Sequence, residues 1–208
     1  MQVFLETERL VLRRFTPEDV DNLFDLDSDP AVLRFVGGTP PSRAMIQTEG
    51  LPWYLSYYER FAGYGFWAAI EKSSGQFLGW FLFRPPGSSS PAEVELGYRL
   101  RQSAWGQGYS TEGSRALIRK GFTELEVQRV VAFALAANYA SRRVMEKAGL
   151  TLVRAFHNTW PDRFDGVAQD LVEYALPKAD WAQQQAADYS GLPRQRSPVA
   201  AASGDTHG

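Results

Sequence analysis

The chain of 208 residues contains no cysteine and only two histidines. The absence of cysteine excludes disulfides, zinc sites built on thiolates and a cysteine nucleophile, and it makes the cytoplasm the default compartment. Of the two histidines, His207 lies close to the end of the chain. His157 alone cannot build a histidine-rich metal centre, so we expect no metal.

Long apolar runs and an excess of positive charge are also missing. The longest strongly apolar run, Val130–Ala137, is far too short to cross a bilayer. Glu6 and Glu8 stand where a secretory signal would need an apolar stretch. The formal net charge is −2, whereas a nucleic-acid-binding protein usually has a basic surface. We therefore expect a cytoplasmic protein that binds neither membrane nor nucleic acid.

The chain does contain enough apolar sequence for one core. Hydrophobic residues make up 44% of it and aromatic residues 13%, which are fractions of a folded domain. From Pro177 onward the sequence is small and polar, without periodicity. We expect one domain over residues 1–176 and a mostly disordered tail over residues 177–208.

Hydrophobic periodicity predicts strands and helices in the order β, α, α, β, β, β, α, β, α, β, β. The expected strands are residues 10–15, 66–72, 77–84, 93–100, 129–135, 151–156 and 168–176. The expected helices are one from Pro17 that stops before Pro30, a kinked or broken one over 42–62, and those over 110–125 and 138–148. This order predicts an α/β (α+β) domain, a mixed sheet with helices on its faces.

The most informative segment is SAWGQGYSTE, residues 103–112. Gly106 and Gly108 stand just ahead of a predicted helix. Glycine lets the backbone approach a ligand closely, and the N–H groups at a helix start attract phosphate. A dinucleotide motif would need a third glycine where Thr111 stands, and no GxxxxGK[ST] string occurs. The segment is either another kind of phosphate-binding turn or an ordinary tight turn.

Three segments in one order decide between these alternatives: EVELGYRL (93–100), SAWGQGYSTEGSRALIRKGF (103–122) and NYASRRVMEKAGL (138–150). They resemble the GNAT acetyltransferase superfamily, and TERLVLRRF (7–15) resembles its RimJ/RimL-like branch. The likeness spans residues 7 to about 176. It implies a GNAT-like acyl-CoA N-acyltransferase fold, with a mixed, mostly antiparallel central sheet flanked by helices. It also implies acetyl-CoA as cosubstrate, and it allows a homodimer.

The resemblance implies that strand 93–100 pairs its backbone with the pantetheine arm of acetyl-CoA and that turn 105–110 donates N–H groups to the pyrophosphate. Ser103 stands where the family often has Gln or Arg, which removes one phosphate contact. Arg142 and Arg143 are candidates for the 3′-phosphate, with plain solvation as the alternative. The expected cofactor-binding residues are Leu96, Tyr98, Leu100, Trp105, Gly106, Gln107, Gly108, Tyr109, Ser110, Thr111, Asn138 and Arg143.

Acetyl transfer by direct attack in a ternary complex needs a neutral amine and a donor to the leaving thiolate, but no covalent enzyme intermediate. Glu95, two residues from Gly97, is the candidate base, and Glu93 is its substitute. The alternative is that both are solvated strand carboxylates.

The expected donor is a serine, by resemblance. Many GNAT proteins have a tyrosine acid where this chain has Met145, which excludes it here. The RimJ/RimL-like pattern instead gives Ser141 the role of donor to the sulfur. It gives Asn138 a hydrogen bond to the cofactor arm or a water, with helix capping as the alternative.

The acceptor stays open in the sequence. The RimJ/RimL-like resemblance implies a protein N-terminal α-amine, and a small-molecule amine such as an aminoglycoside or amino sugar is the alternative. A non-catalytic acyl-CoA-binding module is a third interpretation. The aromatic cluster Trp53–Phe61 and the loop His157–Val167, with Asp162 and Asp165, would flank an acceptor cleft in this fold.

Overall fold

The computed structural model describes residues 2–86, 91–158 and 169–190. Eight strands of the described residues form one sheet in the order β1-β2-β3-β4-β5-β6-β8-β7. All neighbouring strands are antiparallel except β5 and β6, which are parallel. The strands are β1 Val3–Glu6, β2 Leu10–Arg14, β3 Gly65–Glu71, β4 Phe77–Arg84, β5 Glu93–Leu100, β6 Arg129–Leu135, β7 Thr151–Asn158 and β8 Gln169–Pro177. The mixed, mostly antiparallel sheet expected from the sequence is confirmed.

Helices cover both faces of this sheet. They are α1 Val20–Asp27, α2 Pro30–Leu33, α3 Arg43–Met45, α4 Leu51–Arg60, α5 Tyr109–Glu124, α6 Tyr139–Lys147 and α7 Lys178–Ser190. A π-helical turn, Ile46–Gly50, joins α3 to α4, within residues 42–62, for which the sequence predicted a kinked or broken helix. No helix of the described ranges is long and apolar enough to span a membrane.

Two hydrophobic clusters separate the helices by face. One cluster joins α1, α2 and α4 to side chains of β3 and β4 such as Phe66 and Leu82. The other joins α5 and α6 to the opposite face, through residues such as Phe81 and Phe83. Helix α5 lies very close to β4, because a Cβ at Gly113 would stand 2.3 Å from Cζ of Phe81. The start of α5 is thereby held at a fixed height above the sheet.

The predicted strands and helices are present, and β4, β5 and β6 have the predicted bounds. Strand β1 is an additional element that periodicity did not reveal. It is four residues long, pairs with β2 at the sheet edge and is only partly buried, so its local pattern is weak.

Helix α7 corrects the expectation of disorder from residue 177 onward. Residues Lys178–Ser190 are helical. The Trp181 ring lies 5.3 Å from the Phe122 ring, centroid to centroid, and Gln184 Nε2 donates to the Gly149 carbonyl at 3.1 Å. A single aromatic anchor in a polar sequence gives no periodic signal, which explains the error. Residues 191–208 lie outside the described residues, so the expectation for them stays a prediction.

Candidate active site

A cleft opens where β5 and β6 separate. The two strands pair at Glu93 with Arg129, Val94 with Val130 and Glu95 with Val131. Beyond Glu95, β5 continues beside β4 and β6 continues beside β8. The cleft has a volume of about 410 Å³. Because a strand edge presents peptide N–H and C=O groups, the cleft-facing edge of β5 can pair with an extended amide-containing ligand.

The glycine turn lies at the far end of β5. Gly106 and Gly108 have φ of +75° and +86°, a region that L-residues with a side chain rarely adopt. The first bond of α5 runs from Glu112 N to Gly108 O at 3.0 Å, so the N–H groups of the preceding residues are not used by the helix ladder. The positive end of α5 therefore faces the cleft mouth, where Gly106 and Ser110 are lining residues.

Side-chain bonds fix the path of this turn. Trp105 Nε1 donates to the Leu100 carbonyl at 2.8 Å, and Gln107 Nε2 donates to the Ser103 carbonyl at 2.6 Å. The turn is therefore tied back to the end of β5 before a ligand arrives.

Asn138 and Ser141 stand at the start of α6, on the other side of the cleft. Asn138 Oδ1 accepts a bond from Ser141 N at 3.1 Å, so Asn138 caps the helix. Capping uses the oxygen only, and Asn138 lines the cleft, where its amide NH₂ can donate to a ligand. Capping and ligand binding are thus compatible.

Tyr98 connects β5 to Ser141. Its hydroxyl oxygen lies 3.0 Å from the Ser141 carbonyl oxygen and 2.9 Å from Ser141 Oγ. Burial raises the pKa of Tyr98 to about 12, against a smaller lowering by its bond to Ser141. The Tyr98 hydroxyl therefore keeps its proton at neutral pH and can donate a hydrogen bond, and the two hydroxyls form a connected pair beside the cleft.

Glu95 is the one carboxylate among the described residues that line the cleft. Its Oε2 lies 3.3 Å from Arg84 Nη2, and Arg84 Nη1 donates to Tyr57 Oη at 3.1 Å. Burial raises the pKa of Glu95 above its ordinary value, and the Arg84 charge offsets this only in part. A carboxylate with a raised pKa accepts a proton more readily than a solvated one.

Glu93 is the weaker of the two candidate bases. Its Oε2 lies 2.6 Å from Arg129 Nη1, and Arg129 also reaches Glu173 at 3.3 Å. Glu93 does not line the cleft. Its carboxylate is committed to an ion-pair network.

Most of the residues proposed from the sequence come together at this cleft. The lining includes Glu95, Leu96, Tyr98, Leu100, Trp105, Gly106, Ser110, Asn138 and Ser141. Gln107, Gly108, Tyr109, Thr111 and Arg143 are not among the lining side chains. Tyr109 is buried, with its hydroxyl bonded to Glu71, so it can contribute only backbone groups.

The two arginines of α6 differ in their surroundings. Arg142 donates to Tyr174 Oη at 3.3 Å and to the Ala136 carbonyl at 3.1 Å, so its guanidinium is already bonded within the domain. Arg143 is exposed on α6. A phosphate contact by either stays a prediction, and Arg143 is the better placed.

Sequence reasoning missed Arg84. It carries no motif, and the available signal was the β4–β5 register, which pairs Arg84 directly with Glu95. To predict this pair from the sequence, one must know how many residues the loop between β4 and β5 contains.

Of the proposed acceptor residues, Trp53 is 46% exposed, and the rings of Trp53 and Tyr57 lie 5.8 and 5.6 Å from the guanidinium carbon of Arg84. Tyr54 stacks on Phe66 with ring centroids 4.0 Å apart. His157 Nδ1 lies 2.6 Å from Asp170 Oδ1 at the end of β7. Asp162 and Asp165 fall outside the described residues.

Comparison with known proteins identifies a family and related acetyltransferases. The acetyltransferase (GNAT) domain family matches residues 9–151. The chain is 30% identical to FsC-acetyl coenzyme A-N(2)-transacetylase of Aspergillus fumigatus, over 88% of this chain and 80% of that protein.

Two solved structures share the fold. A GNAT acetyltransferase from Bacillus anthracis aligns with a TM-score of 0.70 at 21% identity, over 86% of this chain and 99% of its own. RimL, a ribosomal alpha-N-protein acetyltransferase in complex with coenzyme A, aligns with a TM-score of 0.70 at 19% identity, over 85% and 98%.

Proposed function

The chain belongs to the GNAT acetyltransferase family, and from this premise we propose that acetyl-CoA and an amine meet in the cleft between β5 and β6. The protein is an acetyl-CoA-dependent N-acetyltransferase. One observation carries the site: a single cleft is lined by the turn residue Gly106, by Ser141 beside Tyr98, and by the half-buried Glu95. These are the parts that phosphate binding, thiolate stabilisation and amine deprotonation require.

The cosubstrate fits the residues that line the cleft. Peptide groups of β5 from Leu96 to Leu100 would pair with the amides of the pantetheine arm. The turn over residues 105–110 would hold the pyrophosphate, because its N–H groups precede the first helical bond of α5. Asn138 would donate its amide hydrogens to the arm or to a bound water. When bound, acetyl-CoA supplies the thioester whose C–S bond breaks as the new C–N bond forms.

Glu95 takes the proton of the amine in this proposal, directly or through water. Burial raises the pKa of Glu95, which makes it a better proton acceptor, and the Arg84 charge favours the ionised form that can take the proton. The amine nitrogen needs its lone pair free in order to attack, so this proton transfer is the step that Glu95 serves.

Ser141 donates a hydrogen bond to the sulfur as it leaves, and Tyr98 supports Ser141 from behind. As Ser141 turns its hydrogen toward the sulfur, Tyr98 can donate to Ser141 Oγ, from which it is 2.9 Å away. The hydrogen bond from Tyr98 thereby strengthens the hydrogen bond from Ser141 to the sulfur, where negative charge develops.

For the acceptor we propose the α-amine of a peptide or protein N-terminus. Among the described residues that line the cleft, Glu95 is the one carboxylate, while Val32, Phe35, Val36, Phe133 and Leu171 supply apolar surface. The cationic side chain among the described lining residues, Arg99, is paired with Asp27. One carboxylate beside apolar surface suits one amine attached to an apolar or small residue. A polycationic aminoglycoside would be better served by several carboxylates.

A small-molecule amine is the second candidate. It is favoured by the Aspergillus fumigatus relative, whose name specifies FsC and an N(2) position rather than a protein N-terminus, and by the 30% identity that extends over 88% of this chain. In this case the same cleft, base and donor act on a compact acceptor.

The test is an acceptor screen that measures CoA release. Set one contains peptides with a free α-amine and no lysine, set two contains the same peptides with a blocked α-amine and one added lysine, and set three contains FsC and amino sugars. Turnover confined to set one, with mass spectrometry placing the acetyl group on the α-nitrogen, supports the first proposal. Turnover confined to set three replaces it with the second. No turnover in any set, together with tight acetyl-CoA binding, would favour a non-catalytic binding module.

A further inference from the structure

The carboxylate of Glu112, in the first turn of α5, is held by the connection between β1 and β2. Thr7 Oγ1 donates to Oε1 at 2.5 Å, and the Arg9 backbone N–H donates to the same oxygen at 2.9 Å. Arg9 Nε and Nη2 lie 2.7 and 2.6 Å from Oε2. We call Thr7, Arg9 and Glu112 the α5 clamp. Oε2 thus accepts from two N–H groups of the Arg9 side chain and Oε1 accepts from two other donors, so both oxygens of the carboxylate are satisfied.

Arg9 also touches the glycine turn itself. Its Nη1 donates to the Gln107 carbonyl at 2.9 Å, and its guanidinium carbon lies 4.4 Å from the centre of the Tyr109 ring. A Cβ at Gly108 would stand 3.4 Å from Arg9 Nη2. One side chain therefore contacts Gln107 and Tyr109 and lies close to Gly108 between them, at the positive end of α5.

The α5 clamp also compensates the negative charge of Glu112 at the N-terminus of α5. A carboxylate in the first turn of a helix is favoured by the helix dipole but competes with a bound phosphate for the same positive end. Burial disfavours the charge of Glu112, yet the bonds from Thr7 and Arg9 outweigh burial and lower the pKa of this carboxyl. Glu112 is thus ionised, and Arg9 compensates its charge at close range.

We propose that Arg9, with Thr7 and Glu112, is a positioning residue for the pyrophosphate of acetyl-CoA. It acts through the turn: it holds the Gln107 carbonyl outward and the N–H groups of residues 108–110 in a fixed arrangement before the cosubstrate arrives. This inference rests on the proposed function. It adds residues from the β1–β2 connection, about a hundred positions away in sequence, to the cosubstrate site.

The test is calorimetric titration with coenzyme A, which contains the pyrophosphate and reacts with nothing. The variants are Arg9→Met, Glu112→Gln and the double variant. Positioning predicts that each single variant binds roughly tenfold more weakly, because a misplaced turn loses aligned contacts. It also predicts that the double variant is no tighter than the weaker single. Arg43→Met is the matched control, since it breaks an exposed pair with Asp21 of similar length (2.6 Å) away from the turn.

A purely electrostatic role gives a different pattern. Removing Arg9 would then weaken binding, removing the Glu112 charge would strengthen it, and the double variant would return to the parent affinity. That pattern, or binding by Arg9→Met within twofold of the parent, overturns the positioning role. If the parent itself does not bind coenzyme A, the proposed function fails instead, so the two failures are distinguishable.

A second readout separates positioning from general damage to the fold. S-acetylpantetheine lacks the pyrophosphate but carries the same thioester. On an amine that the parent acetylates, Arg9→Met should lower kcat/KM for acetyl-CoA roughly tenfold and leave kcat/KM for S-acetylpantetheine within about twofold. Equal losses with both donors would show that the clamp only supports the fold, and would contradict the proposal.

Discussion

The pairing of Tyr98 with Ser141 leads to a quantitative prediction for Tyr98→Phe, Ser141→Ala and the double variant. If Ser141 donates to the leaving sulfur, its removal should lower kcat by about 10²-fold, as loss of one preorganised donor does in other acyl-transfer sites. KM for acetyl-CoA should change little, because the interaction strengthens only as charge develops on the sulfur.

The effect of Tyr98→Phe follows from its two contacts. Its hydroxyl lies 3.0 Å from the Ser141 carbonyl oxygen and 2.9 Å from Ser141 Oγ. The hydroxyl has one hydrogen, and in the proposed mechanism Tyr98 donates it to Ser141 Oγ while Ser141 donates to the sulfur, so one hydrogen bond is lost. At about 1 kcal/mol for that bond, the loss corresponds to about 5-fold in kcat. Since Tyr98 acts only through Ser141, the double variant should be no slower than Ser141→Ala, within about threefold.

The assay measures CoA release under saturating acetyl-CoA, on an amine that the parent acetylates. Thermal unfolding serves as the control: Tyr98→Phe should lower Tm by only about 2–4 °C, the change for about 1 kcal/mol in a domain of this size. If the losses from the two substitutions multiply in the double variant, Tyr98 and Ser141 act independently, and the connected-pair mechanism is refuted.

Three further predictions concern charge and packing. Glu95→Gln should lower kcat by about 10²-fold or more, because the base is lost. Arg84→Met should move the rise of kcat/KM with pH to higher pH, because the Arg84 charge lowers the pKa of Glu95. An unchanged pH profile in Arg84→Met would contradict the assignment of Glu95 as the base. Tyr58 and Tyr98 both have a pKa raised to about 12, above the ordinary value of about 10. Their full contribution to the free energy of unfolding is therefore present below a pH of about 10 and is lost as the pH rises toward 12. The free energy of unfolding measured in urea should decline between these pH values, and the decline should be smaller in Tyr98→Phe. Trp181→Ala should lower the free energy of unfolding by about 2 kcal/mol because a partly buried aromatic contact is lost, and an unchanged urea midpoint would mean that α7 does not stabilise the domain.

The sequence predicted what depends on local pattern. Strand β5 alternates polar and apolar residues, and Gly106 and Gly108 mark a turn before a helix, so both could be placed by residue number. The fold and family followed from those segments. What sequence reasoning missed depends on contacts between distant residues.

Three features illustrate that limit. Arg84 meets Glu95 only through the β4–β5 register. Arg9 and Glu112 are 103 residues apart in the chain, and no local sequence pattern predicts that they form an ion pair. Helix α7 is held by Trp181 against Phe122, a contact that no periodicity within residues 178–190 reveals.

The central claim is that the turn at Gly106 holds the pyrophosphate of acetyl-CoA, and one calorimetric experiment tests it most directly. Acetyl-CoA is titrated into the parent, Gly106→Trp and Gly75→Trp. Gly106 and Gly75 have φ of +75° and +71°, and a Cβ at either position meets no atom within 4 Å. The two substitutions thus impose similar backbone strain, but only Gly106 lines the cleft.

The account predicts that the parent and Gly75→Trp bind acetyl-CoA with the same affinity and that Gly106→Trp shows no detectable binding while remaining folded. If Gly106→Trp binds as tightly as the parent, or if the folded parent does not bind at all, the glycines form an ordinary turn and the claim is wrong.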